Sequence, residues 1–250
     1  MKTEYAQVSV IGDREENQDR VGIAASADSI LLMVFDGMGG HSDGALAAAT
    51  ALQVVTAAFE KASKPLLDPR GFLYSVLALA HDAVVAVGSE VAIDYRPRAT
   101  CALALVQDGG MFRAHIGDSR IYHLRNGRVL DRSRDHSHVE VLIQEGAITE
   151  QQAQEHPMRN FVESCIGGDW PVPEICVTGK QALQQGDTVL VCTDGFWSGL
   201  AEAGMARVAT ATGVSIEDSI SDLCGRAVSV NAPYSDNSTV AGLRWLGDEA

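Results

Sequence analysis

Hydrophobic and polar positions along this chain fall into short runs with few interruptions, joined by a small number of longer stretches with a helical period. Residues 8–11, 21–25 and 30–35 read as strands, and the last of these is an unbroken apolar run. The pair Gly39-Gly40 ends that pattern, and the Ala-rich residues 45–61 favour helix. Between 72 and 91, Leu73, Val76, Leu77, Ala80, Val84, Val87 and Val91 recur at steps of three and four, which predicts a helix with one buried face. Strands are expected at 101–106, 111–116 and 121–124, with Gly109-Gly110 and Asn126-Gly127 as turn signals. Residues 132–170 are polar, rich in His and interrupted, and predict short helices in a surface excursion. Strands return at 174–177 and 188–192. Two further helices follow, the second with Ile216, Ile220, Leu223 and Ala227 on one face, and a strand at 239–246 closes the pattern. Helix pairs separated by blocks of strands do not make a βαβ series. They predict an α+β layered fold, with sheets packed face to face and helices outside.

A chain of 250 residues that is 46% hydrophobic can bury one sizeable core, so a single domain over 1–250 is expected. The net charge of −14 and the lack of any basic run argue against a nucleic-acid partner and against an anionic membrane surface. No stretch reaches the ~18 consecutive apolar residues of a membrane helix. Residues 1–7 lack the apolar segment of a secretory signal, so a cytoplasmic location is expected. The five cysteines, at 101, 165, 176, 192 and 224, are odd in number and show no C-x-x-C spacing. They read as reduced thiols filling core space rather than as a disulfide or zinc scaffold.

The candidate chemistry lies in where the aspartates sit. Asp36 follows the apolar run 31–35 and precedes Gly37, Asp118 follows 114–117, Asp194 follows 189–193 and precedes Gly195, and Asp236 precedes the last strand. One such Asp is an ordinary turn or cap residue. Several converging at strand ends would repel one another unless a cation lay between them, and an all-oxygen set selects hard divalent ions. Arg14, beside Glu15, Glu16 and Asp19, fits either a surface ion pair or a fork for a phosphate dianion. His136, His138 and His156 match no usual zinc spacing.

Taken in order, Arg14 with Asn17-Gln18-Asp19, Asp36-Gly37-Met38-Gly39-Gly40-His41, Gly117-Asp118-Ser119-Arg120, Thr193-Asp194-Gly195 and Asp236-Asn237-Ser238-Thr239 resemble the motifs of the type 2C (PPM) metal-dependent protein phosphatases, in their bacterial form. The resemblance runs from about residue 12 to residue 243. It implies a four-layer α-β-β-α sandwich, two antiparallel sheets flanked by helix pairs, and it makes 132–170 the flap subdomain. It implies hydrolysis of phosphoserine and phosphothreonine by a hydroxide bridging two Mn2+ or Mg2+ ions, with a weaker third ion. Asp36 would bridge the ions and the Gly37 carbonyl would face one of them. Asp194 and Asp236 would complete a shell, Asp118 would serve the third ion, Asp19 would act directly or through water, and Arg14 would hold the substrate phosphate. Phosphorylated proteins are the implied partners, together with a cognate Ser/Thr kinase system, and a monomer is expected. Two departures stand out. Gln18 replaces a Glu of some members and brings no charge. Met38 replaces a His of eukaryotic members and cannot donate a proton to the leaving alkoxide. Two other readings remain at this level: a catalytically weak phosphoprotein-binding module of the same fold, and a phosphatase of small phosphate esters.

Overall fold

The computed structural model describes residues 1–38, 43–211 and 213–247. Along the chain these form β1 (Lys2–Val10), β2 (Arg20–Ala25), β3 (Ser29–Met38), α1 (Asp43–Lys61), α2 (Pro69–Val87), β4 (Arg98–Gln107), β5 (Gly110–Ile116), β6 (Arg120–Arg125) and β7 (Arg128–Arg132). The excursion holds α3 (His138–Gln144), α4 (Glu150–Gln154) and β8 (Ile166–Gly167). Then come β9 (Cys176–Val177), β10 (Gln181–Ala182), β11 (Thr188–Cys192), α5 (Asp194–Trp197), α6 (Glu202–Ala206), α7 (Ile216–Asn231) and β12 (Ser238–Gly247).

Two antiparallel sheets result. One runs β1-β12-β11-β6-β7, the other β10-β5-β4-β3-β2, with β8 beside β4 and β9 beside β5. The two-residue period of β3 sets the layers. Leu31, Met33 and Phe35 point outward to α1 and α2 and meet Ala48, Ala51, Leu73 and Leu77. Ile30, Leu32 and Val34 point inward and meet Val189, Val191, Ala241 and Leu243 of the other sheet. That second sheet turns Tyr122, Leu190 and Val240 outward to Ile216, Ile220 and Leu223 of α7. The four-layer α-β-β-α arrangement follows.

Several boundaries differ from the sequence pattern. The helix expected at 72–91 begins at Pro69, where the Asp68 side chain caps Gly71 N at 2.9 Å, and stops before Gly88. Val91 therefore lies beyond it. α2 is long and apolar enough to cross a membrane by length and composition alone. Its Leu73, Val76, Leu77, Ala80 and Val84 are buried in the helix–sheet core. The first strand is longer than expected and pairs along β12 from Lys2 to Val10. The strand at 174–177 shrinks to Cys176–Val177. Over the second sheet, α7 is joined by the four-residue α5 and five-residue α6 rather than by one continuous helix. Cys101, Cys192 and Cys224 are buried free thiols, as expected, whereas Cys165 and Cys176 are free but only partly buried and do not fill the core.

Candidate active site

The site forms at the end of the sandwich where the inward-facing positions change from apolar to polar. On β3 the period that turns Ile30, Leu32 and Val34 inward makes Asp36 the next inward residue, paired with Thr100 on β4. Asp36 thus lies within β3, which continues to Met38, rather than at its end. Val21 and Ile23 of β2 pack on the same core, and Asp19 takes the position before them. Thr239 precedes Ala241 and Leu243 on β12, and Thr193 follows Val189 and Val191 of β11. These groups meet: the Thr193 hydroxyl donates to Asp19 Oδ2 at 2.9 Å and accepts from Thr239 N at 3.1 Å. Asp194 opens α5 immediately afterwards. Asp118 sits in the turn between β5 and β6, after Gly117 at φ 92°. A side chain at Gly117 would strike Thr100, so the turn depends on glycine.

The loop bearing Arg14 is stapled to the start of β12. Asp13 Oδ2 accepts from Ser235 N at 3.0 Å and from its hydroxyl at 2.7 Å. Asn237 Nδ2 donates to Ile11 O at 2.8 Å and Glu16 O at 3.0 Å, and its Oδ1 accepts from Gln18 N at 2.8 Å. Arg14 Nη2 consequently reaches Asp236 Oδ2 at 2.6 Å, with the guanidinium largely exposed at the rim. Gly37 is buried, and a Cβ there would collide with the Gly44 carbonyl and lie 2.7 Å from Gln18 O. The start of α1 is thereby pressed against β3. Gly39, Gly40 and His41 lie outside the described residues.

The carboxyls of this end act on one another electrostatically. Burial pushes the Asp36 carboxyl well above its usual range, and Asp19, Asp194, Asp118 and Asp236 each add repulsion. Asp19 is raised to about 7 by burial, against the pull of its Thr239 and Thr193 hydrogen bonds. Asp194 rises to about 6, through burial and then Asp236, and it shares a hydrogen bond with Asp36. Burial and Asp194 raise Asp118 strongly. Asp19, Asp36, Asp118 and Asp194, desolvated and repelling one another, together with the partly exposed Asp236 form an oxygen-only donor set that fits hard divalent cations. Among the described residues, no three Asp, Glu, His or Cys side chains close on one point. Asp36 and Asp194 bond to each other and Asp236 to Arg14.

A second network joins this end to the excursion. Arg120 grips Asp135 with two hydrogen bonds, of 2.8 and 2.7 Å, and its guanidinium stacks 3.4 Å over the Trp197 ring. Trp197 Nε1 donates to Asp118 O at 3.0 Å, and Thr100 and Ser119 hydroxyls bond at 2.7 Å. The conformation around Asp118 is therefore held from three directions.

The sequence profile described as protein phosphatase 2C matches residues 6–222. The chain belongs to the protein phosphatase 2C family. A putative protein phosphatase 2C-type of Streptococcus pyogenes is 28% identical over 98% of this chain and 91% of its own. The serine/threonine protein phosphatase PstP of Mycobacterium tuberculosis is 32% identical over 73% of this chain and 34% of its own. Among solved structures, the S. agalactiae serine/threonine phosphatase superposes with a TM-score of 0.85 at 27% identity, covering 97% of this chain and 99% of that one.

In this family member, all the acidic positions anticipated from sequence gather at one sandwich end, with Arg14 at the rim. Sequence reasoning missed the residues that hold them: Asp13, Thr193, Asn237, Thr100 and the Arg120–Asp135–Trp197 network. Thr193 and Asn237 stood inside the recognised motifs, but only their hydrogen bonds reveal the part they play.

Proposed function

We propose that this protein is a divalent-metal-dependent phosphatase that hydrolyses phosphoserine and phosphothreonine in other proteins, with the catalytic domain spanning residues 1–250 and 132–170 as its flap. The convergence of Asp19, Asp36, Asp118, Asp194 and Asp236 beside Arg14 carries this reading. Asp36, with the Gly37 carbonyl, Asp194 and Asp236 would hold two ions, Asp118 a weaker third, and Asp19 would act directly or through water. When bound, the ions supply the positive charge that offsets phosphate and acidify water for in-line attack. The chain's residues do the rest. Arg14 would turn its fork from Asp236 to the phosphate oxygens. Thr193 and Thr239 hold Asp19 in place. Met38 offers no proton, so the leaving alkoxide takes one from water or a neighbouring acid.

For the ions, manganese has support at the level of the fold. The catalytic domain of PstP, in a structure with a TM-score of 0.79 to this one, is in complex with two manganese ions. A kinase that phosphorylates the same substrates, a monomeric state and a cytoplasmic location complete the proposal, in keeping with the acidic composition and the buried apolar face of α2. The binding-module alternative is disfavoured, because Asp36, Asp194 and Asp236 are all in place. The test is turnover of a phosphothreonine peptide with Mn(II), with chelator, and by Asp194→Asn with Mn(II). Metal-dependent turnover that collapses in the variant supports the proposal. Absence of turnover by folded, Mn-supplied wild type would transfer the case to the binding module.

A further inference from the structure

A cleft of about 570 Å³ opens between the excursion and the body of the sandwich, lined by Ile93, Arg98, His136, Glu163, Val172 and Glu174 among others. Its inner end lies beside the turn that carries Asp118. His136 N donates to Gly117 O at 2.9 Å, one residue before Asp118, and Asp135 at that end is the partner of Arg120. Its outer end is apolar, with Ile93 and Val172 about half exposed. The cleft thus lies one backbone hydrogen bond from the turn that carries Asp118.

The charges in this lining do not cancel. Asp135 is taken by Arg120, which leaves Glu163, Asp169 and Glu174 against Arg98 alone. Arg98 donates to the Ile93 carbonyl at 2.8 Å, which holds the guanidinium beside the outer wall. Glu163 meets His138 at 3.1 Å, a partner that carries charge only when protonated. His136 Nδ1 accepts from Gly117 N at 3.3 Å, so the neutral ring keeps its proton on Nε2 and lines the cleft as a donor.

We infer that the cleft takes the polypeptide segment flanking the phosphoresidue, and that its acidic lining selects substrates with Lys or Arg, rather than Asp or Glu, in that segment. This rests on the phosphoprotein phosphatase reading and adds a sequence preference to it. Opposite charges across such a rim steer encounter and suppress wrong partners more than they add affinity. The phosphate itself is handled by the carboxylate end and Arg14, so a small aryl phosphate does not reach the acidic lining.

The experiment compares kcat/KM of the Mn-loaded full chain on three substrates: 4-nitrophenyl phosphate, a phosphothreonine peptide with Lys/Arg flanks, and one with Asp/Glu flanks. The same set is run on Glu163→Lys/Glu174→Lys. Wild type is expected to prefer the basic peptide by roughly tenfold, as a few partly exposed charge pairs acting together allow. The double variant should lose or reverse that preference while 4-nitrophenyl phosphate turnover stays within about twofold, the usual range for surface changes. Equal rates on the two peptides in wild type would overturn the inference, as would a preference untouched by the double variant. A variant that loses activity equally on all three substrates would also overturn it, by placing these residues in folding rather than selection. Turnover of 4-nitrophenyl phosphate with neither peptide hydrolysed would instead sink the phosphoprotein reading itself.

Discussion

The carboxylate end of the sandwich and the excursion over residues 132–170 meet at Gly117 but are built in opposite ways. At the carboxylate end, Asp36 lies within a strand, Asp118 in a turn that depends on glycine, Asp19 and Asp236 just before strands, and Asp194 at the start of a helix that follows one. Asp19 and Asp118 are buried, with hydrogen bonds from buried hydroxyls or through the backbone beside them. The excursion has helices of seven and five residues, held by local caps such as Ser137 and the Thr149–Gln152 capping box. It leaves Met158, Phe161 and Trp170 exposed. Few buried apolar contacts and local capping mean lower local stability. The difference gives rigidity to the end proposed for phosphate chemistry, where small displacements are costly, and adaptability to the surface proposed to meet a protein substrate.

The largest expected effect breaks the carboxylate end alone. Asp194→Asn should lower kcat by about a thousandfold or more, the scale of losing a preorganised electrostatic group. Because it removes one of several repelling charges, the chelated variant should melt no lower than chelated wild type. A fall in melting temperature would mean that Asp194 is structural. Next comes the joint between the regions. Arg120→Ala strips the partner from Asp135, whose side chain is only 6% exposed, and should cost about 3 kcal/mol in denaturant unfolding. A cost near zero would show that the excursion does not depend on this pair.

A third expectation concerns pH. With Asp19 raised to about 7 and Asp194 to about 6, the chelated folded protein holds more protons than the unfolded chain above about pH 4. The contribution of these groups to stability is complete below that pH and is lost as pH rises through 6 and 7. His115, pushed down to about 4 by burial, works in the opposite direction between pH 4 and 6.5. The clean comparison is therefore chelated wild type against chelated Asp36→Asn. Melting curves from pH 5 to 7.5 should fall more steeply for wild type, and parallel curves would refute the repulsive cluster. The smallest effect isolates the excursion: Thr149→Ala removes the capping box and should cost about 1 kcal/mol or less, seen as faster proteolysis near α4 with 4-nitrophenyl phosphate turnover intact.

What the sequence determined by itself is most of the strands, though not β7, β8 or β10, the layered class and a candidate set of acidic residues. A two-residue apolar period encodes which face each strand buries, and Asp36, Asp118 and Asp194 interrupt or follow such runs visibly. The same local information left Arg14 undecided between an ion pair and a phosphate fork, and it misjudged the ends of α2 and β1. Only tertiary structure brings the acids to one end of the sandwich, because that grouping depends on pairing between residues far apart in the chain, such as Asp36 with Thr100 or Thr193 with Thr239. The staples of Asn237 and Asp13, the Arg120–Asp135–Trp197 network and the cleft beside the excursion leave no periodic trace. They are single hydrogen bonds and contacts between distant segments, and such contacts exist only once the sheets have closed on each other.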